Sequence, residues 1–203
     1  MPKPLVWNHQ FVSTNIEHMQ VDPPPGYESQ DRMVQKNRVF ITFPPFHGAF
    51  LASHLFNAIP HGTVMIVPTS GAIATGQGLV DALKHTQIDA AFLVPSIVLD
   101  LAKDPKLLDI VAQNCKRILT CGGDLPQAIG DKIAAKIPLY NQYGASEMGL
   151  TPQIWGHRTM ADWKYIEPHP VISAEMRHAT GDLYEYNIVR LSLIHISEPT
   201  RPY

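Results

Sequence analysis

Several classes of protein are excluded by what this sequence lacks. Only two cysteines occur in 203 residues, Cys115 and Cys121, and their spacing suits neither a metal site nor a redox pair. No block of like charge accompanies the net charge of -2, so the electrostatic footprint of a nucleic-acid-binding protein is missing. The longest apolar run, Ala90 to Val94, is far shorter than the ~20 residues of a membrane span. We therefore expect a cytoplasmic protein, with neither nucleic acid nor membrane as a partner.

Short apolar and β-branched runs alternate with amphipathic runs of helical length from residue 39 onward. Strands are predicted at Val39 to Phe43, Thr63 to Val67, Ala90 to Val94, Arg117 to Cys121 and Pro138 to Asn141. Helices are predicted at Gly48 to Ile59, Thr75 to His85, Ser96 to Ala102, Lys106 to Gln113 and Pro126 to Lys136. This alternation predicts an α/β fold, with a mostly parallel sheet covered by helices and right-handed crossovers between strands.

The two ends of the chain differ from this pattern. Asn8 is a candidate cap for a helix from His9 to Met19, followed by a proline-rich loop. Beyond residue 151 the helical periodicity fades, and strands are predicted at Trp163 to Ile166 and Leu183 to Val189. A second, β-rich region is therefore expected to begin there.

Three loops follow predicted strands and so meet at one edge of the sheet, where ligands bind in parallel α/β folds. They are Phe43 to His47, Cys121 to Asp124 and Asn141 to Glu147. The second contains adjacent glycines, which let the backbone approach a planar group closely. The third offers a tyrosine for stacking on a base, and a hydroxyl beside a carboxylate, as phosphate and Mg²⁺ require. Together the loops predict a nucleotide site.

Each of these features also has a purely structural interpretation. The Gly122-Gly123 pair suits a tight turn before a helix, and Tyr143-Gly144 suits a turn as well. A Ser-Glu pair commonly caps a helix, and His47 is open to satisfaction by the backbone of its own loop. The functional interpretation depends on all three loops lying at the same edge.

The motifs FPPFHG, ILTCGGDLP and YNQYGASEMG, in this order, resemble those of the adenylate-forming (AMP-binding) superfamily. This superfamily includes acyl-CoA and aryl-CoA synthetases and the adenylation domains of nonribosomal peptide synthetases. The opening PKPLVWNH looks like the end of the family's phosphate loop. DWKYIEPHP and GDLYEYNIVR look most like fungal nonribosomal-peptide-synthetase-like enzymes. The resemblance covers residues 1–190, which are then part of the large N-terminal subdomain of an adenylation domain.

This resemblance implies a role for particular residues. Gly122, Gly123 and Asp124 would contribute to the nucleotide and acyl pockets, and Tyr143 would stack on adenine. Gly144, Ala145 and Ser146 would also bind the nucleotide, with the Ser146 hydroxyl at the α-phosphate.

Three further residues have roles that the resemblance implies. Glu147 would hold Mg²⁺, and His47 would sit beside the carboxylate substrate, so that His47, Ser146 and Glu147 form the catalytic set. Lys3 matches the last lysine of the phosphate loop. Phe50 and His47 are candidates for lining the pocket of the acid.

The chemistry implied by the resemblance is the activation of a small carboxylic acid by ATP and Mg²⁺. The acyl-adenylate would then react with the thiol of CoA or of a phosphopantetheine carrier domain further along a longer chain. The 203 residues contain only the end of the phosphate loop, and Asp182 in Thr180-Gly181-Asp182 lies only 35 positions after Glu147, too near for the family's ribose-binding aspartate. We therefore expect these residues alone to be inactive, or to bind nucleotide weakly.

Two alternatives concern the last part of the chain and the class of enzyme. Residues 191–203, LSLIHISEPTRPY, look like a translated transposase adapter from a sequencing library and are predicted to be non-native, with an ordinary C-terminal strand and turn as the alternative. The segment Gly144 to Gly149 resembles the nucleophile elbow of an α/β hydrolase, but Met148 stands where that motif requires glycine.

Overall fold

The computed structural model describes residues 4–68 and 74–188. Strands β1 to β11 are, in chain order, Glu28–Ser29, Arg38–Ile41, Val64–Ile66, Ala90–Leu93, Arg117–Thr120, Leu139–Asn141, Gly144–Ala145, Gly149–Leu150, Ile154–Trp155, Ala174–Thr180 and Leu183–Ile188. Helices α1 to α7 are His9–Gln20, Gly48–Ala52, Ile59–His61, Gly76–Leu83, Pro95–Lys103, Pro105–Asn114 and Gln127–Ala134. Lys3 and the predicted non-native tail at residues 191–203 lie outside the described residues.

The central sheet has five parallel strands in the order β3-β2-β4-β5-β6. Each of the five strands predicted from the sequence is present, and no end differs from the prediction by more than two residues. The α/β fold with a mostly parallel sheet is therefore confirmed. Because all five strands point the same way, the loops that follow β2, β5 and β6 emerge at the same edge.

Both faces of the sheet are buried, which is the usual state of parallel sheets. Alternate residues of the strands enter different apolar clusters, because side chains along a strand point to opposite faces. Phe40, Leu93 and Ile118 pack against helices α4 to α7, and each has no exposed surface. Their neighbours Ile41 and Leu119 pack on the opposite face.

Helix α1 confirms the prediction for the start of the chain. The Asn8 side chain accepts a hydrogen bond from Phe11 N at 2.8 Å and so caps the first turn. The helix predicted at Gly48 to Ile59 is present but not regular, because a π-helical stretch, Ser53–Ala58, separates α2 from α3. Its residue Phe56 is fully buried against α1, in a cluster with Met19.

The prediction of a strand at Trp163 to Ile166 is wrong. Trp163 instead follows a 3-10 turn, Met160–Asp162, and its ring packs directly on the Cα of Gly130 in α7, where any Cβ would collide with it. The indole N–H donates to Asp131 Oδ1 at 2.9 Å, so the buried ring keeps its polar group satisfied. The ring packs in the layer of helices. One buried ring of this kind does not produce the alternating pattern of a strand.

The β-rich region after residue 151 is partly as predicted. Strand β11 matches the predicted strand that begins at Leu183, and it pairs with β10 as an antiparallel hairpin. The last predicted residue of that strand, Val189, lies outside the described residues. Within residues 4–68 and 74–188, no helix has the length and apolar character needed to cross a bilayer.

Candidate functional site

A cavity of about 250 Å³ lies where the three predicted loops converge. His47 comes from the loop after β2, Gly122 from the loop after β5, and Gly144, Ala145 and Ser146 from the segment after β6. The parallel direction of the strands explains this convergence, because each strand delivers its loop to the same edge. The juxtaposition expected from the sequence is therefore present in the fold.

His47 has a structural role at this edge. Its Nδ1 accepts a hydrogen bond from Ala49 N at 3.1 Å, which caps the short helix α2. A ring nitrogen that accepts from a backbone N–H carries no proton, so the neutral imidazole has its proton on Nε2. The purely structural interpretation, a loop histidine hydrogen-bonded to its own backbone, therefore holds for Nδ1 but not for Nε2. Its Nε2–H is the group left to act as a donor.

The glycine loop after β5 contains one position that requires glycine. Gly122 lines the cavity with φ at +92°, a conformation that residues with a side chain rarely adopt. A Cβ on Gly123 would make only ordinary contact with Pro95, at 3.7 Å. Asp124 is exposed and pairs with Lys164 at 2.9 Å, and this hydrogen bond lowers the pKa of its carboxyl. The structure thus pairs Asp124 with a lysine of the β-rich region.

Ser146 and Glu147 lie in the turn of a small hairpin formed by β7 and β8. They are exposed and do not start a helix, so the capping interpretation of this pair does not apply. The hairpin also argues against the hydrolase alternative, since a nucleophile elbow needs a strand, a sharp turn and a helix.

The turn that carries Ser146 is fixed from the other end of the chain. Trp7 Nε1 donates to the carbonyl oxygen of Ser146 at 2.8 Å, and the Trp7 ring lines the cavity. Gly48 lies against the same turn, where a Cβ would make a tight contact of 3.1 Å with Ser146 Oγ. Trp7 was missed by sequence analysis, and a lone tryptophan before a helix gives no signal of a partner 139 residues away.

The Tyr143 ring lies apart from the other predicted site residues. It is 41% exposed and lines a second cavity, of about 730 Å³, together with Tyr186 and His169. The Tyr143 and Tyr186 rings meet edge to face with centroids 5.9 Å apart. Burial raises the pKa of Tyr186. The structure therefore brings the Tyr143 backbone to the sheet edge and its ring to the face of the β10–β11 hairpin.

Two observations limit the chemistry of the first cavity. Cys121 is part of its wall, and burial raises the pKa of this thiol to about 12, so the thiol is neutral and an apolar lining group. Among the described residues, no group of three or more His, Cys, Asp or Glu side chains could hold a metal ion. Glu147 is thus a single carboxylate beside a hydroxyl.

Two other candidates lie away from this cavity's wall. Phe50 packs against the apolar cluster on the face of the sheet that contains Ile41. Asp182 follows Gly181 in the turn of the β10–β11 hairpin, where Gly181 has φ at +53°. The role of Phe50, like those of the loop residues, remains a prediction, whereas Asp182 has no predicted role in binding ribose.

Comparison with known proteins identifies the family. The model of the AMP-binding enzyme family matches residues 1–177, and the chain belongs to this family. Over 94% of its length the chain is 25% identical to the isocyanide synthase-NRPS hybrid crmA of Aspergillus fumigatus, of which it covers 12%. Over 81% it is 28% identical to the adenylate-forming reductase Nps10 of Heterobasidion annosum, of which it covers 15%. The chain therefore spans less than a sixth of the length of these relatives.

The fold itself is shared with solved structures of ligases. A benzoate CoA ligase from Burkholderia xenovorans superposes with a TM-score of 0.64 over 86% of this chain and 35% of that one, at 18% identity. At this identity the likeness concerns the fold. It agrees with the expectation that the parallel sheet belongs to the N-terminal subdomain of an adenylate-forming enzyme.

Proposed function

We propose that this chain is part of a cytoplasmic ATP-dependent enzyme that activates a small carboxylic acid and transfers it to a thiol. The observation that carries the proposal is the cavity at the carboxyl edge of the sheet, where His47, Gly122 and Ser146 meet. Membership of the AMP-binding enzyme family supports the same class of reaction. The cavity is polar along the loops and apolar at Cys121 and Leu150, which suits a ligand with both kinds of surface.

The proposed reaction has two steps. A carboxylate oxygen attacks the α-phosphorus of ATP, the bond from that phosphorus to the bridging oxygen breaks, and pyrophosphate leaves. A thiolate then attacks the acyl carbon, and AMP leaves. Charge develops on the phosphate oxygens in the first step, so donors aimed at these oxygens accelerate it. The Ser146 hydroxyl and the backbone N–H group of Gly144 are the candidates, and His47 Nε2–H suits the incoming carboxylate.

The residues present are compatible with Mg²⁺. This ion is held by one or two carboxylates together with substrate phosphates, so a lone Glu147 beside Ser146 is a sufficient protein contribution. When bound, the ion supplies positive charge that neutralises the phosphates. Glu147 is exposed and so remains accessible to an ion that arrives with the nucleotide.

The acceptor thiol is proposed from two kinds of relative. The two fungal relatives are an isocyanide synthase-NRPS hybrid and an adenylate-forming reductase, and they favour a phosphopantetheine carrier. The shared fold of the benzoate CoA ligase keeps CoA as the second candidate. Supplying acyl-adenylate to CoA and to a phosphopantetheinylated carrier, each with and without the intact parent enzyme, distinguishes them, since the enzyme should accelerate thioester formation only on the true acceptor.

We further propose that the 203 residues alone bind nucleotide weakly and do not catalyse adenylation. Among the described residues, the groups available at the cavity to orient a triphosphate are Ser146, Glu147 and the loop glycines. Within that part of the chain, no cluster of charged side chains lines it. Acid-dependent exchange of labelled pyrophosphate into ATP tests this proposal. We expect no exchange above the protein-free control, and robust exchange by the purified chain would show that the site is complete.

The assignment of Glu147 is tested by binding. In titrations of the purified chain with ATP, Glu147→Gln should abolish the gain in affinity that Mg²⁺ gives the wild type. Glu175→Gln is the matched control, because it removes the same charge from an exposed glutamate of β10 that pairs with Arg177. An equal dependence on Mg²⁺ in wild type and Glu147→Gln would remove Glu147 from the metal site.

A further inference from the structure

A group of buried amide side chains lies beneath the segment that joins β6 to β7. Gln30, Gln142 and Gln153 have exposed fractions of 2%, 4% and 1%. They come from three separate parts of the chain, and Gln30 and Gln142 hydrogen bond side chain to side chain at 3.0 Å. Burying this many amides is unfavourable unless each is hydrogen-bonded, so their arrangement has to be specific.

Gln153 makes the most directed contacts in the group. Its Oε1 accepts from Tyr143 N at 2.8 Å, and its Nε2 donates to the carbonyl oxygen of Asn141 at 2.7 Å. One amide thus engages the backbone on both sides of Gln142, as a neighbouring strand would. This contact fixes the direction in which the chain leaves β6.

The other contacts complete the same backbone. Gln30 Nε2 donates to Asn141 O at 2.8 Å, so that this carbonyl accepts two hydrogen bonds. Gln142 Nε2 donates to Thr151 O at 3.1 Å, and Thr151 N donates to Tyr143 O at 3.0 Å. Both backbone groups of Tyr143 are therefore held by residues that lie on the other side of the β7–β8 hairpin in sequence.

The Gln153 backbone is itself anchored. Its N–H donates to Asp31 Oδ2 at 3.0 Å, and its carbonyl oxygen accepts from Gln30 N at 2.9 Å. Asp31 is 4% exposed and lies in the 3-10 turn Asp31–Met33. Because both backbone groups of Gln153 are hydrogen-bonded, its side-chain amide has a fixed position relative to the Asn141–Tyr143 backbone.

From these contacts we propose that Gln153 is a positioning residue for the nucleotide site. Its side-chain amide sets the backbone of Asn141 to Tyr143, and through it the Tyr143 ring and the Gly144 to Ser146 segment that lines the cavity. The inference rests on the proposed function, since it assigns Gln153 to the orientation of the segment that binds the nucleotide. Gln153 itself does not line that cavity.

Two variants of Gln153 test the proposal on the 203-residue chain. Gln153→Met keeps the length of the side chain and removes both hydrogen bonds. Gln153→Glu keeps the acceptor for Tyr143 N and, when ionised, loses the donor to Asn141 O. The first readout is the hydrogen-exchange protection of the Tyr143 amide by NMR, which needs no ligand. We expect Gln153→Met to lower it about five- to tenfold, as for loss of one hydrogen bond.

The second readout is the affinity for AMP. We expect it to fall about five- to tenfold in Gln153→Met, in step with the protection of Tyr143, because the segment must be ordered before it can line the site. In Gln153→Glu, protection and affinity should recover as the pH falls, because the protonated acid regains a donor. The titratable groups nearby are Asp31, which accepts from Gln153 N, and His169, whose N donates to Pro152 O. Wild type measured at the same pH values shows how much of the change in protection and affinity comes from the titration of these two groups.

A control variant separates positioning from general loss of stability. Asn57 is another buried amide, 4% exposed, in the π-helical stretch between α2 and α3. Asn57→Leu should change the midpoint of unfolding without a specific loss of Tyr143 protection or AMP affinity. Unchanged Tyr143 protection in Gln153→Met would overturn the inference. If wild type fails to bind AMP while protection falls as expected, the proposed function fails and the positioning of the segment stands.

Discussion

The parallel sheet and the region after β6 are stabilised in different ways. Within the sheet, Phe40, Leu93 and Leu139 are completely buried in apolar surroundings. In the segment directly after β6, Gln142 and Gln153 are buried polar side chains, and the β10–β11 hairpin leaves Met176, Leu183 and Tyr184 exposed. The sheet therefore depends on apolar burial. The segment around Gln142 and Gln153, which we call the junction, depends on hydrogen bonds between distant residues, and the hairpin depends mainly on its own backbone pairing.

The largest expected difference between the regions concerns aromatic truncation. Phe40→Ala should lower the free energy of unfolding by about 3–5 kcal/mol, because a buried ring is lost and a cavity remains. Tyr184→Ala, in a hairpin position that is 57% exposed, is the matched control and should cost less than about 1 kcal/mol. Urea unfolding followed by far-UV circular dichroism measures both. Equal losses of free energy of unfolding would mean that the Tyr184 ring is buried against another part of the protein.

The junction should differ from the sheet in its dependence on pH. Burial raises the pKa of Asp31 from 3.8 to about 7, so the folded protein binds this proton more tightly than the unfolded chain. The stability due to this proton is complete below pH 3.8 and is lost as the pH rises through about 7. The total loss is on the order of 4 kcal/mol.

Asp31→Asn removes this titration and keeps an oxygen that can accept from Gln153 N. We expect the variant to be more stable than wild type at pH 8, with the difference shrinking toward pH 4.5. Urea midpoints at the two pH values give the answer. Parallel pH profiles for the two proteins would show that Asp31 titrates normally.

A smaller effect is expected at the loop where the sheet meets the cavity. Gly122→Ala should cost about 1–2 kcal/mol, since its φ of +92° is unfavourable for a residue with a Cβ. Gly123→Ala is the neighbouring control and should cost less than about 0.5 kcal/mol, because the new methyl group would make only ordinary contact with Pro95. Thermal unfolding of both variants measures the pair. A cost at Gly123 as large as at Gly122 would contradict the backbone explanation.

The smallest effect on stability is expected in the hairpin. Met176 is 63% exposed, so Met176→Ser should change the free energy of unfolding by no more than about 0.5 kcal/mol. The same change removes apolar surface from an exposed strand and should reduce self-association, as measured by light scattering. A clear destabilisation with unchanged association would place Met176 in a packed interior.

The difference between the regions also explains what the sequence could predict. The strands follow from local periodicity, as does the spacing of Ile129, Ile133 and Ile137 by four residues, which predicts one face of a helix; Ile133 and Ile137 are in the core cluster and Ile129 packs against it. The convergence of the three loops follows from the parallel order of the strands. These features were predictable because spacing along the chain determines them.

The rest depends on contacts between distant residues. The bond between Gln153 and Asp31 spans 122 positions, and an isolated glutamine in a sequence does not reveal that it is buried. The sequence around Trp163 predicts a strand, and the contact of its ring with Gly130 leaves no periodic pattern that would indicate otherwise. The direction of the Tyr143 ring depends on Tyr186, which belongs to a hairpin 43 positions away.

The hydrogen bond from Trp7 to Ser146 has a consequence for protein synthesis. The indole leaves the ribosome 139 residues before the carbonyl that it binds. Until then its partners are residues nearer the start of the chain, which include Phe11 and, once translated, Phe56. We expect the nascent chain to complete the sheet as far as β6 before this wall of the cavity can close, so a chain from which β6 but not Ser146 has left the ribosome would have the sheet with an unfinished pocket.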